Sequence, residues 1–346
     1  MNTVNIITEL DTAILNNNGN KLKYLLEYSS EHSSEINIHQ YNEYIFRLGC
    51  DYGCVHMIKL FLDYCEEHND KINIHILEDK AIKSVCKKGN VDMVTFLLEY
   101  GETKNIPFDI HMDNDELFVK ACESGNIDMV KFIIKYCEDN NSKIHLNDFN
   151  KYNILITLCC NGHLGLLIFL LNYYNENNIN VDITQQNDWL FVLTCKYGQL
   201  RIIKFLLKNY KININTEYDK AFMEACESEN IDLVKYLVEY GEKYNCKINI
   251  QNCPQNVFEL TCNKFNTNNT LFDYLLYLNK HNYGKLNIIN NIYFNESGLK
   301  LFNKKYISNQ DSIYIYNNNK RIINTRNKVY HTIKSTDYIV VIFLNI

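Results

Sequence analysis

Thirteen cysteines and ten histidines are the side chains here best suited to chemistry, as nucleophiles or as metal ligands. Their spacing decides which role is open to them. Cys50, Cys54 and His56 could offer three ligands to zinc, but a structural zinc site wants four, usually in close pairs. No Cys-x-x-Cys occurs in the chain, and Cys246, Cys253 and Cys262 follow no ligand spacing. Cys50, Cys86, Cys122, Cys159, Cys195 and Cys226 instead recur at one place in a repeated phrase. A small buried slot on a helix explains that recurrence, because a free cysteine packs as a small hydrophobe. His163 follows a glycine, where a hydrogen bond steadying the turn is expected; His39, His75, His111 and His145 are expected in loops. No phosphate-binding Gly-x-x-x-x-Gly-Lys-Ser/Thr, no Gly-x-Ser-x-Gly and no His-Glu-x-x-His is present. The expectation is a chain that is not an enzyme and holds no cofactor and no metal.

The elements that carry these residues are repeats. Cys86-Lys-Lys-Gly-Asn-Val-Asp-Met-Val-Thr-Phe-Leu-Leu-Glu-Tyr100 returns as Cys122-Glu-Ser-Gly-Asn-Ile-Asp-Met-Val-Lys-Phe-Ile-Ile-Lys-Tyr136, and again from Cys226 to Tyr240. Counted on Gly53, Gly89, Gly125, Gly162, Gly198 and then Glu229, the steps are 36, 36, 37, 36 and 31 residues. A fixed period of this length marks a solenoid. Degenerate copies around Leu22–Tyr28 and Leu271–Leu276 bring the total to about eight units.

Each unit reads as helix, tight turn, helix, loop. Asp79, Asp115, Asp188 and Asp219 are expected to cap the first helix. The glycine supplies a turn position with φ > 0. Asn90, Asn126 and Asn230 then cap the second helix, with Asp92, Asp128 and Asp232 in its first turn, facing the positive end of its dipole. That second helix is apolar at most positions, so it must be covered on more than one side. Ile72–His75, Ile144–Leu146, Ile212–Ile214 and Ile248–Ile250 are expected as short extended stretches or hairpin arms. The heavy use of Asn, Ile, Lys and Tyr reads as coding composition.

The stretch from Gly125 to Lys135, and more loosely Gly162 to Leu171, resembles the core of ankyrin repeats, and the likeness runs from about Asn17 to Leu278. The family's Thr-Pro-Leu-His start to the first helix is missing, with Glu116-Leu-Phe-Val119 in its place; most units are also about three residues longer. The asparagine-rich composition looks most like the ankyrin proteins of large DNA viruses of amoebae. The resemblance implies an all-α solenoid over residues 1–294. Residues 295–346 form a non-repeat segment in which Ser312–Tyr316 and Tyr338–Leu344 are strand-like. It further implies a protein–protein interaction scaffold. An alternative is an adaptor that brings a bound protein to a host ubiquitin ligase through the C-terminal segment. An enzyme hidden in that segment would be too short to fold alone.

The bulk composition restricts partners. A net charge of −6, with no basic run longer than a pair, argues against nucleic acid. The longest apolar run falls far short of the ~20 residues that span a bilayer, and the N-terminus has no secretory pattern. An intracellular, cytoplasmic monomer whose partner is another protein is expected. Between the recurring cysteine and the turn glycine lie positions that obey no apolar rule: Asp51, Tyr52, Lys87, Lys88, Glu123, Ser124, Cys160, Asn161, Lys196, Tyr197, Glu227 and Ser228. In the resembled family this end of the first helix borders the concave face, so these are the candidate docking residues; tyrosine favours interfaces. Trp189, the only tryptophan, is expected to fill space between repeats.

Overall fold

The computed structural model describes residues 3–31, 39–146, 148–248, 271, 274, 275 and 278, with strand residues 292–293, 312–317, 322–324 and 338–343. Among them are fourteen helices, arranged as seven consecutive pairs. The chain divides into two compact units: residues 1–158 with 163–181, and residues 159–162 with 182–346.

In the first unit the pairs are α1 (Thr3–Leu15) and α2 (Gly19–Glu31), α3 (Gln40–Tyr52) and α4 (Val55–Glu67), α5 (Ile76–Lys88) and α6 (Val91–Thr103), and α7 (Met112–Glu123) and α8 (Ile127–Asp139). The helix α9 (Asp148–Asn161) runs up to the division, and α10 (Leu164–Glu176) lies in this unit. First helices stack in series, α1 on α3, α3 on α5 and α5 on α7. Second helices do the same, from α2 through α4, α6 and α8 to α10. Each inner second helix is thereby covered by its own first helix and by two neighbours. In α6 the buried side is Met93, Val94, Leu97, Leu98 and Gly101, an i, i+1, i+4, i+5, i+8 stripe. Each large apolar side chain buried this way contributes ~1.5–3 kcal/mol.

The second unit holds α11 (Gln185–Lys196), α12 (Leu200–Asn209), α13 (Thr216–Glu227) and α14 (Ile231–Lys243), with α11 packed on α13. Leu271, Tyr274, Leu275 and Leu278 are helical in the expected outer copy, and its three leucines are buried. The C-terminal segment contributes an antiparallel sheet of β1 (Ile292–Tyr293), β2 (Ser312–Asn317), β3 (Ile322–Asn324) and β4 (Tyr338–Phe343), in the order β1-β4-β2-β3.

Turn chemistry sets the period. Gly53, Gly89, Gly125, Gly162 and Gly198 end the first helices at φ between 68° and 79°, and Glu229 takes the same left-handed place at 60°. Asn90, Asn126 and Asn230 then accept hydrogen bonds from the first-turn amides of α6, α8 and α14. At the other end, α4, α6, α8, α10 and α14 each run 13 residues and finish two residues before a left-handed asparagine. These are Asn69, Asn105, Asn141, Asn178 and Asn245, with φ of 55–57°. The next amide donates back to the carbonyl five residues earlier, as in Ile106 to Gly101 (2.8 Å) and Ser142 to Cys137 (2.8 Å). This is a Schellman closure with asparagine where glycine is usual. So part of the asparagine bias has a structural use. In contrast, α12 has only 10 residues, and Tyr210 leaves it extended at φ −130°. That is why the step from Gly198 to Glu229 is short.

Two local expectations are corrected. Asp79 and Asp115 do not stand outside the first helix as caps. They close runs of three left-handed residues inside it, Leu77–Asp79 and Asp113–Asp115. Asp188 and Asp219 are left-handed as well, at 59° and 62°. Their carboxylates serve the connectors instead. His75 Nδ1 meets Asp79 Oδ1 at 2.5 Å, His111 Nδ1 meets Asp115 Oδ1 at 2.5 Å, and Asn215 Nδ2 donates to Asp219 Oδ1 at 2.5 Å. The buried Asp115 also accepts the backbone amide of His145, one repeat on (2.6 Å). Left-handed backbone at non-glycine residues costs ~1–3 kcal/mol each, so these polar staples offset strain. The connectors themselves form no strands among their described residues. Ile74, Ile144, Ile214 and Ile248 are buried singly without ladder pairing.

Candidate interaction surface

The recurring cysteines face inward. Cys50, Cys86, Cys122, Cys159, Cys195 and Cys226 are all at most 1 % exposed. Burial pushes the thiols of Cys86 and Cys159 up to about 12 and raises those of Cys50, Cys122 and Cys195 well above the ordinary thiol value, which removes the thiolate needed for nucleophilic attack. The sulfur of Cys54 lies against the carbonyls of Ile14 and Tyr52. Among the described residues no three His, Cys, Asp or Glu side chains converge as metal ligands.

The histidines hold the scaffold together. His39 bridges Glu43 (2.8 Å) and Asp70 (2.7 Å), and His75 Nε2 reaches the carbonyl of Ile106 at 3.1 Å. His39, His75, His111 and His145 lie in turns or loops as expected, and His39 and His75 there tie one connector to the next. Their carboxylate partners stand four residues on, a spacing that could have revealed the pairs in the sequence. The His163 side chain makes no capping hydrogen bond to α10. Its ring instead fills the space beside Gly125 that a Cβ there would need. Trp189 is half-buried beneath the Lys220 ammonium, which lies 4.5 Å from the ring centroid.

The candidate docking positions divide by contact. In the first unit Tyr52 is 51 % exposed, with the Lys88 ammonium 6.0 Å from its ring centroid. Asp51 accepts from Ser84 Oγ (2.6 Å), and its carbonyl accepts from Lys88 (2.8 Å). Lys87 spans to Glu123 at 3.1 Å, and Lys120 reaches the same carboxylate at 3.0 Å. Burial pushes the Glu123 carboxyl up, but Lys120 and Lys87 together outweigh it and lower it from the ordinary value. Ser124 turns back, donating to Ala121 O (2.6 Å) and accepting from the Asn126 amide (2.9 Å). In the second unit Asn161 and Glu227 are exposed, and Tyr197 is 56 % exposed. Lys196 pairs with Glu224 at 3.2 Å. Ser228 repeats the inward turn of Ser124, donating to Ala225 O at 2.7 Å.

A further tie joins successive turns. Asn126 Nδ2 donates to Gly89 O (2.9 Å), Asn230 Nδ2 to Gly198 O (2.8 Å), and Gln199 Nε2 to Cys160 O (2.9 Å). One asparagine thus caps its own helix and clasps the preceding repeat. The ankyrin-repeat family model, described as Ankyrin repeats (3 copies), matches residues 46–144, 86–187, 118–216 and 178–252. Together these matches cover more than half of the chain. The chain belongs to the ankyrin-repeat family. No curated protein matches it, so the narrower viral likeness gains no relative to support it. Ankyrin repeats generally mediate protein–protein interaction, and the family is typically non-catalytic. No helix among the described residues is long and apolar enough to cross a membrane.

Proposed function

We propose that this ankyrin-repeat protein is a non-enzymatic scaffold that binds another protein through the ends of its first helices. The observation that carries the reading is the exposure of Tyr52 and Tyr197 at a repeat position the core leaves unconstrained. A half-exposed tyrosine offers a large, rigid contact area and one hydroxyl. Lys87 and Lys88 in the first unit, and Asn161, Lys196 and Glu227 in the second, stand at the equivalent helix ends and offer adaptable polar contacts. Asp51, Glu123, Ser124 and Ser228 belong to the same stripe and hold its turns in place. The net charge of −6 supports a protein partner over nucleic acid, and the eleven free cysteines among the described residues support an intracellular, cytoplasmic setting. Nothing among the described residues of the C-terminal segment favours the ubiquitin-ligase adaptor.

Affinity purification from the native cell, followed by binding of the recovered partner to a variant, tests the reading. Replacement of Tyr52, Lys87, Lys88, Glu123 and Tyr197 together is expected to weaken binding by ~100-fold or more with the helical circular dichroism unchanged. An unchanged affinity would move the site elsewhere.

A further inference from the structure

We propose that His39 and His75 are proton-gated links between successive connectors, a pH-sensitive switch that tightens this part of the first unit in acid and loosens it in alkali. Three residues stand fourteen positions before the turn residues Gly53, Gly89 and Glu229: His39, His75 and Asn215. They open α3, α5 and α13, and each reaches in two directions. His39 Nδ1 meets Glu43 of its own helix (2.8 Å), and its Nε2 meets Asp70 in the connector after α4 (2.7 Å). His75 Nδ1 meets Asp79 (2.5 Å), and its Nε2 meets the carbonyl of Ile106 after α6 (3.1 Å). Asn215 Nδ2 makes the same pair of bonds, to Asp219 (2.5 Å) and to the carbonyl of Lys247 after α14 (3.2 Å).

Every acceptor in these links is a carboxylate or a carbonyl, so each link needs two donated protons. The amide of Asn215 carries both at any pH. A neutral imidazole carries only one N–H, so His39 and His75 complete their links only with a second proton in place. Without it a nitrogen lone pair faces an oxygen, and the ring lets go of its own helix or of the next connector. Glu43 on α3 and Asp70 after α4 are the charged groups set on His39, and the buried Cys65 thiol of α4 senses both carboxylates. Burial works against the charged His39 ring, but these two partners outweigh it and raise its pKa. On His75 the charged group is Asp79, while the next connector presents only the Ile106 carbonyl and the Phe108 ring, 4.6 Å between centroids. His111 occupies the same position before Gly125, yet its Nε2 has no partner, and the His145 ring lies 6.5 Å away. One N–H, from Nδ1 to Asp115, satisfies it. The side chains of His39 and His75 are 34 % exposed, so water can deliver and remove the proton. A proton held in the folded link and released by the unfolded chain makes stability fall as pH rises.

Amide hydrogen exchange of the full chain, corrected for the intrinsic effect of pH, tests this between about pH 6 and about pH 8.5. The Asp79 amide donates to His75 O (3.3 Å) and the Glu43 amide to His39 O (3.4 Å), so each reports on one link. Protection of both is expected to fall by ~10-fold over that range in the unaltered chain. His75→Asn copies Asn215: it should keep the protection that Asp79 shows at the acid end and flatten its profile. His39→Asn should do the same for Glu43, whereas His111→Asn should leave both profiles as they are. Nitrogen NMR of the unaltered chain at about pH 7 needs no variant, and should find protons on both ring nitrogens of His39 and His75. A flat profile in the unaltered chain, a fall that persists at Asp79 in His75→Asn, or rings that carry a single proton while the amides stay protected would each overturn the proposal.

Discussion

Replacing Asn126 separates the two duties of the repeat asparagine. Its Oδ1 accepts from the amides of Asp128 (2.9 Å) and Met129 (3.3 Å), and its Nδ2 donates to Gly89 O (2.9 Å). Loss of a cap costs ~1 kcal/mol. Loss of a neutral hydrogen bond at a partly exposed carbonyl costs about another 1 kcal/mol, since water replaces some of it. Asn126→Ala should therefore destabilise the fourth repeat by ~2 kcal/mol. Asn126→Asp keeps the acceptor and gains from the helix dipole, but it loses the donor and sets a carboxylate against Gly89 O. Its expected cost is ~1 kcal/mol, all of it between repeats. Urea unfolding of the full chain gives the sum, and hydrogen exchange places it. The Met129 amide should lose protection in the alanine variant and keep it in the aspartate variant. Asn230, which donates to Gly198 O, provides an independent second site. Equal losses for Ala and Asp, or no loss for Asp, would refute the inter-repeat clasp.

Glu229→Gly relieves left-handed backbone at a turn without glycine, and a gain of ~0.5–1 kcal/mol in urea melts is expected. Asn141→Ala at the end of α8 should cost ~1 kcal/mol in the same melts, whereas Asn141→Gly should cost little. Cys122→Ala leaves a small void and should be tolerated, while Cys122→Asp places a carboxylate in a fully buried slot and should abolish cooperative unfolding as read by circular dichroism. Burial lowers the pKa of His39, but its hydrogen bonds to Glu43 and Asp70 outweigh this and raise it overall. The stabilisation from its imidazolium is therefore complete below the ordinary histidine value of ~6.5 and is lost as pH rises through the raised folded value. His39→Gln should remove that part of the pH dependence of the urea midpoint.

The parts of the fold legible in the sequence are those that repeat. Helix pairs, left-handed glycines and capping asparagines follow from Gly89-Asn90 and Gly125-Asn126 alone, because turn chemistry is local. The aspartates before the first helices could not be placed in this way. Cap preference puts Asp79 outside the helix, but the histidine four residues earlier and the next connector's backbone draw its kind into a left-handed turn. That partner lies beyond the reach of a propensity argument. The stripe positions could be found by their freedom from the apolar rule. Which of them are exposed and which are spent on ion pairs depends on the neighbouring repeat, as Lys87 and Glu123 show.

The left-handed asparagines also bear on how this protein ages. Asparagine loses its amide when the backbone nitrogen of the following residue attacks its side-chain carbonyl, and a chain this rich in asparagine is exposed to that reaction. After Asn69, Asn105, Asn141, Asn178 and Asn245, that nitrogen is already committed, donating to the carbonyls of Cys65, Gly101, Cys137, Tyr174 and Gly241 at 2.7–2.9 Å. Each closure therefore shields the bond it caps. Damage at these five sites becomes a covalent record of how often each second helix has opened at its end, readable by mass spectrometry long after the helix has reformed.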